Sequence, residues 1–359
     1  MVKVVTVKNK EIINPGKNTN YLINGGFQVW QRGTSLASHS AQYSRKFVAD
    51  RWGGRFDSNG GVYSIIRDSI VLNGVNKTAL KVTVDTASTH IGTGATYLSV
   101  TPFEQIIEGL FAYELNGKDI TVSFWIETNF SGTLCAAIGS SNQGNNYLHE
   151  FTVEANVLKK VSFSFKLPNT FVSYSNGTGI SVNIGAISQD SYFIGSTANS
   201  LIAESSKITT GNCTLWSNNV GSTIKIAEVK LEEGTYASDF EYDLYDQELL
   251  KCQRYYEKSY TDGVFEGANT TIGSVEIQNS ITGTSPMMTT VFYRTNKRTT
   301  GHTVRIYNSA GTINVVDSDP GNVPSLVTGV STGSIQVYAN DAVSNKRWFR
   351  FHWAADCEF

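Results

Sequence analysis

Cleaving a glycan would require two carboxylates held at a defined separation across the substrate, and two close pairs in the chain invite that test. Glu104 and Glu108 share one side of an extended segment, and Glu232 and Glu233 are neighbours in a turn. Neither spacing sets an acid opposite a base, and glutamates are almost always solvated. The five histidines, His39, His90, His149, His302 and His352, stand alone, with no nucleophile elbow or cysteine-protease context beside them. The glycine-rich GTGAT at 92–96 lacks the lysine of a phosphate loop. Cys135, Cys213, Cys252 and Cys357 lie far apart without a CxxC pair, so they read as buried thiols, with a disulfide left open. No catalytic residue is assigned, and the expectation is a protein that is not an enzyme.

Binding chemistry is a better match. A sugar ring presents an apolar CH face rimmed by hydroxyls, which a flat aromatic beside hydrogen-bonding groups complements. Trp125 lies on the parity opposite to the apolar side of its strand, and Trp216 is opposite Leu215. In the last strand Phe349, Phe351 and Trp353 share one face, leaving Trp348, Arg350 and His352 on the other. Trp125, Trp216, Trp348, Arg350 and His352 are therefore the carbohydrate-binding candidates. The competing reading is that loops or another subunit cover that second face. Trp30 and Trp52 are assigned to the core. Asp50 and Asp119 are conceivable ligands of a structural calcium ion; the alternative is that Asp50 accepts hydrogen bonds from backbone or from Arg51. No other cofactor is expected.

The elements that must carry these groups are strands. Ile120, Val122, Phe124 and Ile126 alternate with Thr121, Ser123, Trp125 and Glu127, and the period of two recurs at Leu80–Val84, Val161–Leu167 and Ile180–Ile184. Alternation of this kind marks antiparallel strands with one packed face and one wet face. Asn59-Gly60, Asn116-Gly117 and Asn176-Gly177 punctuate them as turns. Near Ala227-Glu228 the inward parity switches from Ile224 and Ile226 to Val229 and Leu231, which predicts a β-bulge. A single helix is predicted over 243–258, from Tyr242, Tyr245, Leu249, Cys252 and Tyr256 at intervals of three and four. The fold expected is all-β. Residues 1–19 form an N-terminal arm or attachment strand, 20–242 a jelly-roll β-sandwich, 243–258 a short connector helix, and 259–359 a smaller C-terminal β-sandwich.

Composition narrows the partners. Only 17% of the 359 residues are charged and the formal net charge is −2, so there is no basic footprint for nucleic acid. No apolar run approaches the ~20 residues needed to cross a bilayer, and membrane insertion is not expected. The opening MVKVVTVKNK lacks the apolar segment of a secretory leader.

Several segments taken in order resemble bacteriophage tail-fibre and virion structural proteins: NGGFQVWQRG at 24–33, ADRW at 49–52, QIIEG at 105–109, VSFW at 122–125, KLEEGTYASDFEYDLYDQELLKCQRYYE at 230–257, and the final FHWAADCEF at 351–359. The resemblance implies a virion location, in a tail fibre or other surface appendage made in the host cytoplasm. It also implies self-association, as a homotrimer, with other virion proteins and a host cell-surface glycan as further partners. A stand-alone carbohydrate-binding module or adhesin is the alternative, and a polysaccharide depolymerase a third reading that lacks its carboxylate cluster.

Overall fold

The computed structural model describes residues 19–39, 45–58, 60–89, 99–140, 144–278, 287–319, 321–339 and 348–359. The expected N-terminal arm lies almost wholly outside them. The fold is all-β, with a jelly-roll sandwich of two antiparallel sheets first. One sheet runs, in spatial order, Ser35–His39, Val62–Leu72, Val75–Thr86, Thr223–Glu233, Asp119–Thr128 and Lys159–Lys166; the other runs Ser200–Ile202, Asn146–Val153, Gly132–Ser140, Thr178–Ile184, Val100–Glu108, Gly53–Phe56 and Arg45–Phe47. The alternation read from sequence lands where it should: Ile120, Val122, Phe124 and Ile126 are unexposed, and they pack in a single core with Val82, Ile224 and Ile226 of their own sheet and Val182 and Ile184 of the other. The longest hairpin turns at Asn73 and Gly74, both with positive φ, the conformation that a two-residue hairpin loop demands. The bulge is also present: pairing with Asp119–Thr128 shifts between Ala227 and Lys230, and Glu228 has φ +49°.

A second core is built around Trp348–Asp356. Its first half pairs with Val275–Gln278 and Val315–Ser318, its second with Tyr256–Lys258 and Thr303–Tyr307. One long strand thus serves two sets of partners, and Phe349, Phe351 and Trp353 pack with Ile306, Val316, Ile335 and Val337 inside the smaller sandwich. The helix spans Tyr245–Gln253, shorter than the periodicity over 243–258 predicts. Tyr256, counted into the stripe, instead starts the strand that pairs with Ala354–Asp356. On the helix Glu248 is buried, where its carboxylate accepts the backbone N–H of Asn24, while Tyr245 is 40% exposed.

Candidate functional site

Of the six segments that carry the resemblance, 24–33, 49–52, 105–109, 230–257 and 351–359 meet at one junction, while 122–125 lies within a strand of the first sheet. Asn24, with φ +57°, opens it: its side-chain oxygen accepts the N–H groups of Gln28 (2.8 Å) and Val29 (3.0 Å), and its amide donates to the carbonyls of Val29 and Asp50. Its own carbonyl takes the indole N–H of Trp52 at 3.0 Å. The two glycines that follow have no room for a side chain. A Cβ on Gly25 would sit 2.0 Å from the carbonyl oxygen of Val229, and one on Gly26 would lie 2.6 Å from the ring of Tyr242, distances that only glycine avoids. Trp30 and Trp52 belong to the core, as expected.

Around this turn the charges interlock. The Asp50 carboxylate accepts the backbone N–H of Gln31 at 2.5 Å and its side-chain amide at 3.0 Å, and that amide also donates to the Tyr256 carbonyl. Arg32 reaches Asp356 (3.2 Å) and Glu358 (3.4 Å) and lies 3.8 Å over the Tyr256 ring. Arg51 pairs with Glu358, donates to the Ile106 carbonyl and stacks 3.4 Å from the centre of Tyr255. Glu108 accepts both prongs of the Arg254 guanidinium, each at 2.8 Å, and the Tyr255 hydroxyl at 2.5 Å. Glu104 and Glu108, tested above as an acid–base pair, are occupied separately, since Arg45 forks onto Glu104 at 2.7 and 2.8 Å. Both are buried in ion pairs, contrary to the solvated charge expected of them: Arg45, itself held by the Phe359 carbonyl, covers Glu104, and Arg254 and Tyr255 cover Glu108.

Burial pushes the Asp50 carboxyl up to about 6, against the opposing pull of Arg32 and the Gln31 hydrogen bonds. Its oxygens are already satisfied, so the hydrogen-bonding alternative to calcium describes its surroundings. The donors are Gln31 and Arg32, while Arg51 turns to Glu358. Asp119 is exposed at the start of its strand, opposite Lys166. Among the described residues no three His, Cys, Asp or Glu groups gather as a metal cage would need.

The aromatic candidates part company. Trp125 does lie on the outward face of its sheet, half-buried against Ile70, Leu72, Ala79 and Ala227. Trp348 and Arg350 are partly exposed, the guanidinium 5.4 Å from the indole centre and ion-paired with Glu276. Trp216 is not at the surface. It starts a 3-10 turn, Trp216–Asn218, where strand parity has no meaning, and it is fully buried with its indole N–H on the Gly185 carbonyl at 3.0 Å. His352 is also buried: its Nε2–H donates to the Thr270 carbonyl (3.0 Å), its Nδ1 meets the Ser259 hydroxyl (3.0 Å), and Tyr260 stacks on it at 3.9 Å. The strand does turn His352 away from the core, but the segment 259–270 covers that side.

A cavity of about 280 Å³ opens where Tyr21, Phe111 and Tyr255 converge with Arg51, Gln105, Glu114 and Lys251. Phe111 is 47% exposed at its rim, and the Tyr21 hydroxyl donates to Glu114 at 2.5 Å. Gln105 exchanges hydrogen bonds with the N–H and carbonyl of Ile23, 2.7 and 2.8 Å, which fixes one wall. No local pattern could have found it, because its walls are residues brought together from Tyr21, Gln105 and Tyr255.

No protein-family model matches the chain, and no curated protein matches it. Among solved structures it is similar to a carbohydrate-binding module described as "CBM4 structure and function" (13% identity, TM-score 0.29, covering 59% of this chain and 98% of that one). It is also similar to the CBM22-1 xylan-binding domain of Paenibacillus barcinonensis Xyn10C (8%, 0.29, 61% and 97%). A third is the enzymatically active domain of bacteriophage CBA120 tailspike protein 4 (13%, 0.30, 60% of this chain but 21% of that one). With TM-scores this low, the likenesses say nothing about what this chain binds.

Proposed function

We propose that the chain is a non-enzymatic structural subunit of a bacteriophage virion, a tail-fibre or other appendage protein. It self-associates, as a homotrimer, contacts other virion proteins and engages host cell-surface glycans. The observation that carries this reading is the convergence of the resembling segments 24–33, 49–52, 105–109, 230–257 and 351–359 on one buried, ion-paired junction. Residues alike in type and order to those of virion proteins are here occupied in holding the first sandwich, the helix and the last strand together. They work as architecture, with their carboxylates committed to arginines and amides.

Self-association has its own support on the smaller sandwich. Met288, Tyr338 and Leu326 sit side by side across three strands, and Phe292 shares their face at 76% exposure. Apolar rows of this kind mark interfaces more often than solvent. Light scattering at micromolar concentration tests the reading: the expected mass is three times that of the 39.3 kDa chain, falling to one chain in Leu326→Lys. A monomeric parent would count against the appendage and favour a stand-alone binding module. Release of reducing ends from host polysaccharide would overturn the non-enzymatic assignment.

A further inference from the structure

Cys135 and Cys213 are far apart in the chain, yet hydrogen bonds clamp their two segments together on both sides of the pair. On one side the Thr214 N–H donates to the Thr133 carbonyl at 2.8 Å, and the Thr133 N–H donates to the Thr214 hydroxyl at 3.0 Å. The approach is close enough that a Cβ on Gly132 would meet that hydroxyl at 2.1 Å. On the other side Glu150, which pairs directly with Cys135 across the sheet, accepts the Thr210 hydroxyl and the Asn212 amide, the latter at 3.1 Å. Directly paired residues leave a sheet on the same face, so Cys135 and Glu150 both rise toward the segment 209–214. Cys213, between Asn212 and Thr214, is thereby held over Cys135, and the two thiols are hydrogen-bonded.

The pair is buried, Cys135 without exposed surface and Cys213 at 8%, so only a small oxidant suits it. Its two sulfurs are also unlike. The S–H of Cys135 donates to Cys213 and draws that thiol down to about 6, while Cys135 is itself raised. Near neutral pH a thiolate therefore lies against a thiol, the attacking and resolving partners that disulfide formation needs. The segment above them is lightly fastened by its backbone: Ile194–Gly195 and Thr209–Thr210 pair over two residues, and Ser200–Ile202 adds three at the edge of the second sheet.

We propose that Cys135 and Cys213 are a peroxide-oxidisable pair whose disulfide fastens the segment 191–214 to the second sheet. The Cys213 thiolate attacks one oxygen of hydrogen peroxide; the O–O bond breaks, the sulfur becomes a sulfenic acid, and the hydroxide released is protonated to water. The Cys135 sulfur then attacks that of Cys213, the S–O bond breaks, and the hydroxyl leaves as a second water with the Cys135 proton. Two thiols are oxidised to one disulfide, and one peroxide is reduced to two waters.

Treating the full chain with hydrogen peroxide, then with N-ethylmaleimide under denaturing conditions, followed by peptide mass mapping, tests it. Cys252 and Cys357 should be alkylated, while Cys135 and Cys213 should appear in one cross-linked peptide, lighter by the two hydrogens removed. Dithiothreitol should restore both thiols. Trypsin cleavage after Lys207, within the fastened segment, should slow severalfold on oxidation and recover on reduction. Cys213→Ser should abolish the cross-link and leave Cys135 open to alkylation; the mapping of the parent decides even where this variant folds poorly. Alkylation of all four cysteines after peroxide, a sulfinic acid at Cys213 with Cys135 still free, or a bond to Cys252 or Cys357 would overturn the pairing. A cross-link that leaves cleavage at Lys207 unchanged would overturn the fastening.

Discussion

Replacing Glu108 by glutamine tests whether the junction is architecture in the energetic sense. Glu108 has no exposed surface and accepts three hydrogen bonds, two from Arg254 and one from Tyr255. A glutamine keeps one acceptor oxygen and turns an NH₂ group toward an N–H donor, so at least one of the three bonds becomes a clash. The lost attraction is about 4 kcal/mol for unit charges ~4 Å apart at an effective dielectric of ~20. Part of it returns because the Arg254 side chain is 22% exposed and can be rehydrated. The expected net loss is about 3 kcal/mol, at the lower edge of the range for breaking a buried pair. Urea unfolding followed by tryptophan fluorescence measures it, since Trp52 and Trp216 report the first core and Trp353 the second. In a double-mutant cycle with Arg254→Gln, the coupling should exceed about 1.5 kcal/mol. A loss below about 1 kcal/mol, with coupling near zero, would refute the claim that Glu108 ties the helix to the sheet.

Two further outcomes follow from the titrating groups. The folded state raises the Asp50 carboxyl from 3.8 to about 6, so it holds the proton more tightly than the unfolded chain. Its stabilising contribution is complete below about pH 4 and is lost as the pH rises through about 6. Relative to Asp50→Asn, the parent should lose about 2 kcal/mol of unfolding free energy between about pH 4 and about pH 7; parallel pH profiles for the two proteins would contradict this. The thiol of Cys213 is drawn down to about 6 by the hydrogen bond from Cys135, against burial, whereas Cys135, Cys252 and Cys357 are all raised. Iodoacetamide near neutral pH should therefore modify Cys213 first, and peptide mapping that finds Cys252 or Cys357 ahead of it would refute the assignment.

Alternation at Ile120–Ile126 and the parity switch at Ala227-Glu228 were legible in the chain because a strand's period of two is a local property, fixed by backbone geometry at each residue. The helix was legible in type but not in length: Tyr256 follows a helical spacing, yet pairing with Ala354–Asp356 claims it for a sheet. Candidate ligand residues fared less evenly for the same reason. Parity tells which side of a strand a side chain leaves, so Trp125, Trp348 and Arg350 were placed outward with success. It says nothing of what lies over that side, and His352 vanished beneath Tyr260. Trp216 had no parity to read, being in a 3-10 turn.

The sequence by itself determined the β class and the bulge, both of which are set by residues within a few positions of one another. Only the tertiary structure decided that Asp50 answers Gln31 and Arg32, that Glu108 answers Arg254, that Val229 and Tyr242 leave room only for glycine at Gly25 and Gly26, and that Tyr21, Phe111 and Tyr255 line one cavity. Glu108 and Arg254 lie 146 positions apart in the chain. Their meeting is fixed by strand order and by the path of the final segment over the second sheet, which no local spacing encodes.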